Sequence, residues 1–358
     1  MSFRDELDDL DVIADTDALE RKNAKLRRDN SSLRRQLDAA DARETELQKL
    51  LDFHDALTAA EPSPPKWLTP AKPGKSHRAT IVSLLSDTHF DEVVNPDEVG
   101  GLNAYDRTIA TKRLNRWAEG TITVARDYLA GVKYDGIVIM LGGDIFTGNL
   151  HDLAETNEDT LFGSLLYWSE QLAAAITMLA DEFGKVHVPV VVGNHGRLTH
   201  KPRTKLRARD NMDWLLGHML ALQLASDRIT FDIPDSTDTF VDVYGTTHLL
   251  THGDQTTGGG GVGGIWPPIM RMSGRKAQRY AATGKTFDTI CMGHWHQLIM
   301  APEAGLIVNG SLKGYDEYAA VSNFRPERPQ QAMWLVTPEH GISMSAPVIV
   351  GDRKKEKW

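Results

Sequence analysis

The stretch ATIVSLLSDTHF, residues 79–90, decides the fold that this sequence predicts. It is a continuous apolar run that ends in the polar residues Asp87 and His89. Such a run indicates a strand that is buried on both faces. Four later runs have the same form and end in GGD, GNH, THGD and GHWH: GIVIML (136–141), HVPVVV (187–192), HLLT (248–251) and TICM (289–292). We therefore expect five buried strands, each followed by side chains that bind metals or protons.

Helical patterns lie between these strands. In the clearest one, an apolar stripe precedes a stop at Gly184 and consists of Leu165, Leu172, Ile176, Leu179 and Phe183. Alternating strands and helices predict a layered α/β domain with its polar clusters at the carboxyl ends of the strands. We expect a second sheet to be closed by three short later strands: VNGSL (308–312), AMWLVT (332–337) and ISMSAPVIV (342–350).

The first 60 residues differ in kind from the rest. Apolar residues recur every seven positions at Leu19, Leu26, Leu33, Ala40 and Leu47, and the companion seam contains Asn23, Asn30, Leu37 and Leu51. Residues 1–61 contain no glycine or proline, so nothing interrupts a long helix. Asparagines in such a seam favour dimers, and we predict a homo-oligomeric coiled coil, most simply a dimer of open strand direction. The alternative is a single amphipathic helix that docks on its own domain.

Residues 61–76 contain five prolines and predict an extended linker. The predicted organisation is therefore a coiled-coil helix over 1–60, a linker over 61–76 and an α/β domain over 77–358.

The composition of the 358 residues is that of a globular protein, with 41% hydrophobic and 25% charged residues. We expect no membrane partner, because no run of 18 apolar residues occurs. The acidic N-terminus lacks the basic-then-apolar order of a signal peptide, and the lone Cys291 suits a reducing compartment. The predicted location is the cytoplasm.

Two basic runs stand out against the net charge of −9. Residues 197–209 contain six Lys or Arg and no acid, and residues 271–279 form another basic run. Both follow polar clusters, where a polyanionic substrate would lie. The candidate substrate contacts are Arg197, Lys201, Arg203 and Arg275. The alternative is that each run is an ordinary solvated surface.

The polar clusters have the chemistry of a two-metal site. Two neighbouring divalent ions need a shared ligand, and Asp144, which follows two glycines, suits that bridge. Asp87 and His89 lie two residues apart at a strand end, as do His294 and His296. Asn194 offers a neutral oxygen, and His252 would complete the second ligand set. Each motif alone is common, but the ordered set at five strand ends predicts a dimetal centre.

The ordered set SDTH, GGD, GNH, THGD and GHWH resembles the calcineurin-like metallophosphoesterase family over residues 79–311. The resemblance implies two sheets packed face to face and flanked by helices, with a dimetal site at the strand ends. It implies that one ion is held by Asp87, His89, Asp144 and His296, and the other by Asp144, Asn194, His252 and His294. His195 would contact the phosphate and assist the leaving group. Mixed nitrogen and oxygen ligands suit Mn²⁺, which we expect, and also Fe or Zn²⁺.

The motifs GGDIF and GNH are similar to those of the SbcD-type nuclease branch, and the layout resembles phage-encoded members of the superfamily. With the basic runs, this favours a phosphodiesterase or nuclease acting on DNA or RNA. Thr147 and Gly196 stand where that branch has histidine and aspartate, although His151 lies nearby. Only about 60 residues follow GHWH, too few for a capping domain. A small-nucleotide phosphodiesterase, a phosphomonoesterase and an inactive coiled-coil scaffold stay open as alternatives.

Three further features have two interpretations each. The glycine-rich residues 256–266 form either a lid or a surface loop. Lys313 and Tyr315 either line a substrate groove or pack in the interior. Trp67, Trp266 and Trp295 either stack on bases or pack at the rim of the core.

Overall fold

The computed structural model describes residues 3–58, 77–148, 157–256, 258 and 264–357. Within the first helix, side chains are described for residues 19–49, 51 and 52. The chain divides into two compact units, Met1–Glu61 and Pro62–Trp358. The predicted linker over 61–76 lies outside the described residues.

The first unit contains one long helix, α1 (Phe3–Thr58). This confirms the predicted N-terminal helix. Its leucine seam is exposed along the described part, with Leu19 at 57% and Leu33 at 64% exposure. Pairing of this seam with a second copy stays a prediction.

The second unit contains two sheets. The strands of the first are β1 (Arg78–Leu85), β2 (Lys133–Leu141), β3 (Val186–Pro189), β4 (Ile229–Asp232), β10 (Gln330–Thr337) and β11 (Gly341–Ile349). Those of the second are β5 (Asp238–Val243), β6 (Thr246–Thr251), β7 (Thr289–Met292), β8 (Ile299–Ala301) and β9 (Leu306–Val308). The orders are β11-β10-β1-β2-β3-β4 and β5-β6-β7-β9-β8. Neighbours among β1–β4 are parallel, as are β6, β7 and β9.

The described residues of the second unit also form six α-helices. They are α2 (Arg107–Thr123), α3 (Leu161–Phe183), α4 (Met212–Leu224), α5 (Trp266–Ala281), α6 (Glu317–Val321) and α7 (Arg353–Glu356). A π-helical turn (Val124–Tyr128) continues α2, and a 3-10 turn (Pro302–Ala304) precedes β9. None of the described helices has the length and apolarity that crossing a bilayer requires.

The core has three parts that correspond to the layers. Buried residues of α2, α3 and α4 pack on one face of the first sheet, around Trp117 and Trp168. Between the sheets, Val82 and Trp334 meet Cys291. On the outer face of the second sheet lie Leu249, Ile290 and Leu306, packed with Ile269 of α5. This arrangement confirms the predicted α/β fold of two packed sheets flanked by helices.

Helix α3 carries the stripe that the sequence indicated. Thr160 caps its start by accepting a hydrogen bond from the Gly163 N–H, and Gly184 ends it with φ +79°. The five apolar residues of the predicted stripe are all buried. The 3.6-residue period of the apolar residues therefore predicted a helix, and Gly184 predicted where it ends.

The prediction for the last strands was wrong in its sheet assignment. Strands β10 and β11 extend the first sheet, with β10 antiparallel to β1 through pairs such as Thr80 and Val336. Only Val308 of VNGSL lies in a strand. The chain leaves β9 because the Asn309 side chain accepts from the Ala332 N–H at 2.7 Å and donates to the Leu84 carbonyl at 3.2 Å. These contacts fix a loop against β1 and β10.

A buried ion pair attaches α7 to α2. The Arg113 guanidinium is fully buried and donates to Glu356 at 3.0 and 3.2 Å. It also donates to the Leu312 carbonyl at 3.1 Å and to the Lys313 carbonyl. Because all these groups are desolvated, removal of the acid would leave an uncompensated cation in the interior.

We expect Glu356→Gln to lower the free energy of unfolding by about 3 kcal/mol, since Arg113 would lose its anionic partner. Urea unfolding followed by circular dichroism measures this loss. The matched control is Glu119→Gln, an exposed residue of α2, which should stay within about 0.5 kcal/mol of the unchanged protein. Equal stability of both variants would contradict the role of the buried pair.

Candidate metal centre

The five polar clusters all follow strands of the two sheets. Those after β1, β2 and β3 come from the first sheet, and those after β6 and β7 from the second. The strands within each set run parallel, so their carboxyl ends meet at one edge. The clusters therefore converge where the two sheets face each other.

The structure brings the candidate ligands into three linked groups. In each group the ligand atoms lie within 4.8 Å of one another: Asp87, His89 and His296; His89, Asp144 and His195; and Asp144, His252 and His294. His89 and Asp144 each belong to two groups. The groups thus form one continuous candidate metal centre with Asp144 in a central position.

The side-chain atoms in this centre fit divalent cations. The Asn194 Oδ1 atom is buried and has no hydrogen-bond partner among the described residues. The His252 Nδ1 atom donates to the Gly142 carbonyl at 2.8 Å, so Nε2 carries the lone pair. That Nε2 atom lies 2.9 Å from the Asp144 Oδ2 atom. Two electron-rich atoms at this distance need a proton or a cation between them.

The pKa shifts follow from this crowding. Burial alone would raise the pKa of Asp144, but the facing His252 and His195 hold it well below its usual range. Burial alone would lower the pKa of His252, but the Asp144 carboxylate raises it to about 10. A proton thus stabilises the pair in the absence of a metal, and a divalent cation can take its place.

Two further histidines are held in the neutral form that binds metals. Burial lowers the pKa of His294 to about 4. Burial, with the nearby Lys313, also lowers the pKa of His89 well below its usual value. The His89 Nε2 atom lies 3.1 Å from the His296 Nε2 atom, so two ring nitrogens face each other as ligands of one ion would.

Five of the seven candidate ligands have left-handed backbone: Asp87, His89, Asp144, His294 and His296, with φ between 45° and 70°. Non-glycine residues adopt this region rarely, although Asp and His tolerate it better than most. The sequence predicts Asp87 and His89 at a strand end, two residues apart. Their ligand atoms do converge, but on a left-handed turn beyond the end of β1. Such clustered strain is typical of functional sites.

The loops after β2 and β3 touch through glycine backbone. A Cβ on Gly143, whose φ is +86°, would lie 2.4 Å from the Gly193 nitrogen. A Cβ on Gly193 would lie 2.0 Å from the Asp144 Oδ1 atom. Any larger residue at either position would therefore push Asp144 away from Asn194 and His195.

Asp213, at the start of α4, is a functional residue that the sequence reasoning missed. Its carboxylate accepts from the Asp144 N–H at 3.0 Å, the Gly193 N–H at 2.9 Å and the Ile145 N–H at 3.3 Å. Burial, with the nearby Asp144, raises its pKa to about 7. Asp213 thus positions both metal-binding loops. Only its place just after the helix cap Asn211 marks it in the sequence, which is a weak signal.

A second missed residue, Glu92, lies behind the His89 ring. The Glu92 Oε2 atom lies 3.4 Å from the His89 Nδ1 atom and accepts from the Thr147 hydroxyl at 2.9 Å. The buried Lys313 donates to the other Glu92 oxygen at 2.8 Å and to Asp316. A carboxylate behind a ligand histidine fixes the orientation of the ring. Lys313 therefore both packs in the interior and lines the cavity described below.

His195 lies beside the ligand cluster. Its N–H donates to the Asp144 Oδ1 atom at 2.7 Å, and its Nδ1 donates to the Thr147 carbonyl at 3.0 Å. A carbonyl only accepts, so Nδ1 carries the proton and Nε2 is the basic ring atom. The His195 and His89 ring centroids lie 4.5 Å apart. His195 is thus placed to exchange a proton with a molecule at the centre.

A cavity of about 680 Å³ opens over this centre. Six of the candidate residues line it: His89, Asp144, Asn194, His195, His294 and His296. Trp295, Lys313 and Tyr315 also line it.

The four basic candidates lie outside the described lining of this cavity. Arg197 donates to backbone carbonyls of its own loop, including those of Asn194 and Thr199. Arg203 pairs with Asp210 at 3.0 Å, while Lys201 and Arg275 are exposed. Their contact with substrate stays a prediction.

Several other sequence predictions fall on undescribed parts of the chain. Residues 257 and 259–263 of the glycine-rich segment, His151 and Trp67 lie outside the described residues.

Comparison with known proteins gives distant matches. No family model matches the chain. The structure is similar to Vps29 from Entamoeba histolytica complexed with Zn²⁺, with 11% identity and a TM-score of 0.29 over 76% of this chain and 99% of that chain. It is also similar to the sulfate thiohydrolase SoxB from Thermus thermophilus, with 10% identity and a TM-score of 0.31 over 80% of this chain and 60% of that chain. TM-scores this low do not establish a shared fold, so only the geometry of the site itself supports its interpretation as a metal centre.

We expect the full-length protein to retain about two Mn²⁺ ions per chain after dialysis, and His252→Ala to retain about one, because only one ligand group contains His252. Elemental analysis by mass spectrometry measures the ratio. The control is His340→Ala, an exposed histidine outside the three groups. Equal metal content in all three proteins would refute the assignment of His252.

Proposed function

We propose that this chain is a dimetal-dependent phosphoester hydrolase of the calcineurin-like metallophosphoesterase type. The observation that carries the proposal is the chain of three ligand groups linked through His89 and Asp144. Paired divalent sites with a shared carboxylate are the common machinery of phosphatases and nucleases. Mn²⁺ is the proposed metal, because mixed imidazole, carboxylate and amide ligands suit it, with Fe and Zn²⁺ as alternatives.

The residues of the chain have separate roles in the proposed reaction. Two bound divalent ions would polarise the phosphoester and lower the pKa of a water molecule. Asp213 and Glu92 hold the ligand loops and the His89 ring in place, so the site needs little reorganisation. The His195 Nε2 atom, once protonated, would donate its proton to the leaving oxygen. The low exposure of Asp144 to solvent strengthens these electrostatic interactions.

The proposed substrate is a phosphodiester, most simply DNA or RNA. In the two basic runs, the exposed Lys201 and Arg275 support this choice through their attraction for a polyanion. The other cations that the structure pairs with aspartates contribute less: Arg203, Arg207, Arg209, Lys276 and Arg279. The two departures from the nuclease motifs have structural reasons. The Thr147 hydroxyl donates to Glu92, and a Cβ on Gly196 would lie 2.5 Å from the Asn211 Oδ1 atom. A histidine at position 147 or an aspartate at position 196 would therefore require the neighbouring residues to move.

A small-nucleotide phosphodiesterase or phosphomonoesterase is the second candidate. The cavity volume of about 680 Å³ favours it, since this is the size range of small-molecule sites. An inactive scaffold is disfavoured by the convergence of six of the seven predicted ligands in the three groups, with Asn194 in the lining of the same cavity. We further propose a cytoplasmic location, in keeping with the single, buried Cys291.

We expect the Mn²⁺-loaded protein to hydrolyse a chromogenic phosphodiester and single-stranded DNA, and Asp144→Asn to lose this activity entirely. His195→Gln should keep its metal but lose about 10²–10⁴-fold in kcat, because it cannot donate the proton. Initial rates on a diester, a monoester and single- and double-stranded DNA measure this. Turnover of the monoester alone would refute the proposed phosphodiesterase activity. No turnover of any of these substrates would refute the proposal that the protein is a phosphoester hydrolase.

We also propose that α1 pairs with α1 of a second copy. Its seam leucines are exposed, and the seam asparagines can hydrogen-bond across a dimer axis. Burial of a continuous leucine seam provides the free energy of association.

Deletion of residues 1–76 should reduce the number of chains per particle from two to one while the hydrolase activity per chain is unchanged, because the candidate centre lies wholly in residues 87–296. Light scattering coupled to size exclusion measures the mass. Leu26→Lys in the full chain is a milder test, since a charge in the seam should also dissociate the dimer. The same number of chains per particle in the unchanged protein and in both variants would contradict the pairing.

A further inference from the structure

One wall of the cavity is built from residues that follow β9. Helix α6 begins at Asp316, whose Oδ1 atom accepts from the Ala319 N–H at 2.7 Å. The chain then turns back, and the Phe324 N–H donates to the Ala319 carbonyl at 2.9 Å. This places the Tyr318 and Phe324 rings 6.0 Å apart at 75°. Both residues line the cavity.

These two rings have little part in the core. Tyr318 is 70% exposed and Phe324 is 48% exposed. Tyr315, by contrast, lines the same cavity while packing against the main core. Single exposed aromatic residues need no explanation, but two paired rings on the wall of a cavity that contains a candidate phosphoester centre form a surface for a flat ligand.

A cation lines the same cavity as the rings and follows Phe324 in the sequence. Arg325 lines the same cavity, and no described carboxylate lies within ion-pair distance of its guanidinium. On the side of the first basic run, His200 also lines the cavity. Aromatic faces with a neighbouring guanidinium are the recognition elements of unpaired bases, because every base has a π-face and arginine adds a cation–π contact.

We propose that this aromatic wall, Tyr318, Phe324 and Arg325, binds the base of a nucleotide whose phosphate lies at the metal centre. The inference rests on the proposed function and specifies its substrate class. A base can stack on these rings only when it has left a duplex, so the substrate is an unpaired nucleotide unit. Either a free nucleotide or the end of a single strand supplies that chemistry. A cavity of about 680 Å³ has the size for such a unit.

Binding in the absence of turnover tests the wall directly. The probes are 5′-AMP and ribose 5-phosphate, which differ by the base, titrated into the full-length Mn²⁺-loaded protein by calorimetry. We expect AMP to bind about tenfold or more tightly than ribose 5-phosphate, and a Tyr318→Ala/Phe324→Ala variant to bind the two alike. The control is Val321→Ala, an 83% exposed residue of α6 outside the cavity lining, which should keep the preference. Equal affinity of the unchanged protein for AMP and ribose 5-phosphate would refute base binding by the aromatic wall.

Turnover separates failure of the wall from failure of the proposed function. The substrates are thymidine 5′-(p-nitrophenyl phosphate) and methyl p-nitrophenyl phosphate, which share a leaving group. We expect the double variant to raise KM about tenfold for the thymidine ester only. If the unchanged protein turns over the diesters but shows no preference for AMP, only the proposed role of the aromatic wall is refuted. If it prefers AMP but turns over neither ester, only the proposed hydrolase activity is refuted. If a single-stranded oligonucleotide is cleaved faster than the thymidine ester, the aromatic wall binds the end of a strand. If the thymidine ester is cleaved faster, the wall binds a free nucleotide. Equal cleavage of duplex and single-stranded DNA refutes base binding by the wall.

Discussion

The burial of the Asp144 carboxylate is the constraint on which the rest of the site depends. A desolvated carboxylate needs compensating positive charge or hydrogen-bond donors. The protein supplies the His195 N–H on one oxygen and His252 beside the other. Asp213 holds the backbone of the same loop from behind. Every neighbouring element, including the two glycine contacts between loops, is arranged around the position of this one group.

The centre also depends on the contact between the two sheets. Asp87, Asp144 and Asn194 follow strands of the first sheet, whereas His252 and the two histidines of GHWH follow strands of the second. The packed side chains between the sheets keep these two sets in register. Because a cation would bind both sets at once, its binding free energy would also resist separation of the sheets. Metal affinity and the stability of the sandwich are therefore coupled.

The sequence predicted what is local and periodic. The strands that precede the five clusters, and the buried stripe of α3, follow from apolar patterns. The left-handed turns at Asp87 and Asp144 could not be predicted, because only tertiary contacts hold a non-glycine residue there. Asp213 and Glu92 were missed for the same reason, since neither has a ligand-like motif around it. Strands β10 and β11 were placed in the wrong sheet because pairing partners are not encoded in a strand's own pattern.

The aromatic wall and the candidate metal centre differ in how well their residues tolerate substitution. Helix α6 is attached at its root by Asp316 and the buried Lys313, while its outer positions, such as Tyr318 and Val321, are exposed. Substitutions at exposed positions usually change stability by less than about 0.5 kcal/mol. The candidate ligand residues other than Asn194 have no such freedom, because each of them is buried or strained. For the proposed hydrolase, substitutions in α6 could therefore change which molecules the cavity binds while the candidate metal centre stays the same, so α6 is a part of the fold from which new substrate ranges could evolve.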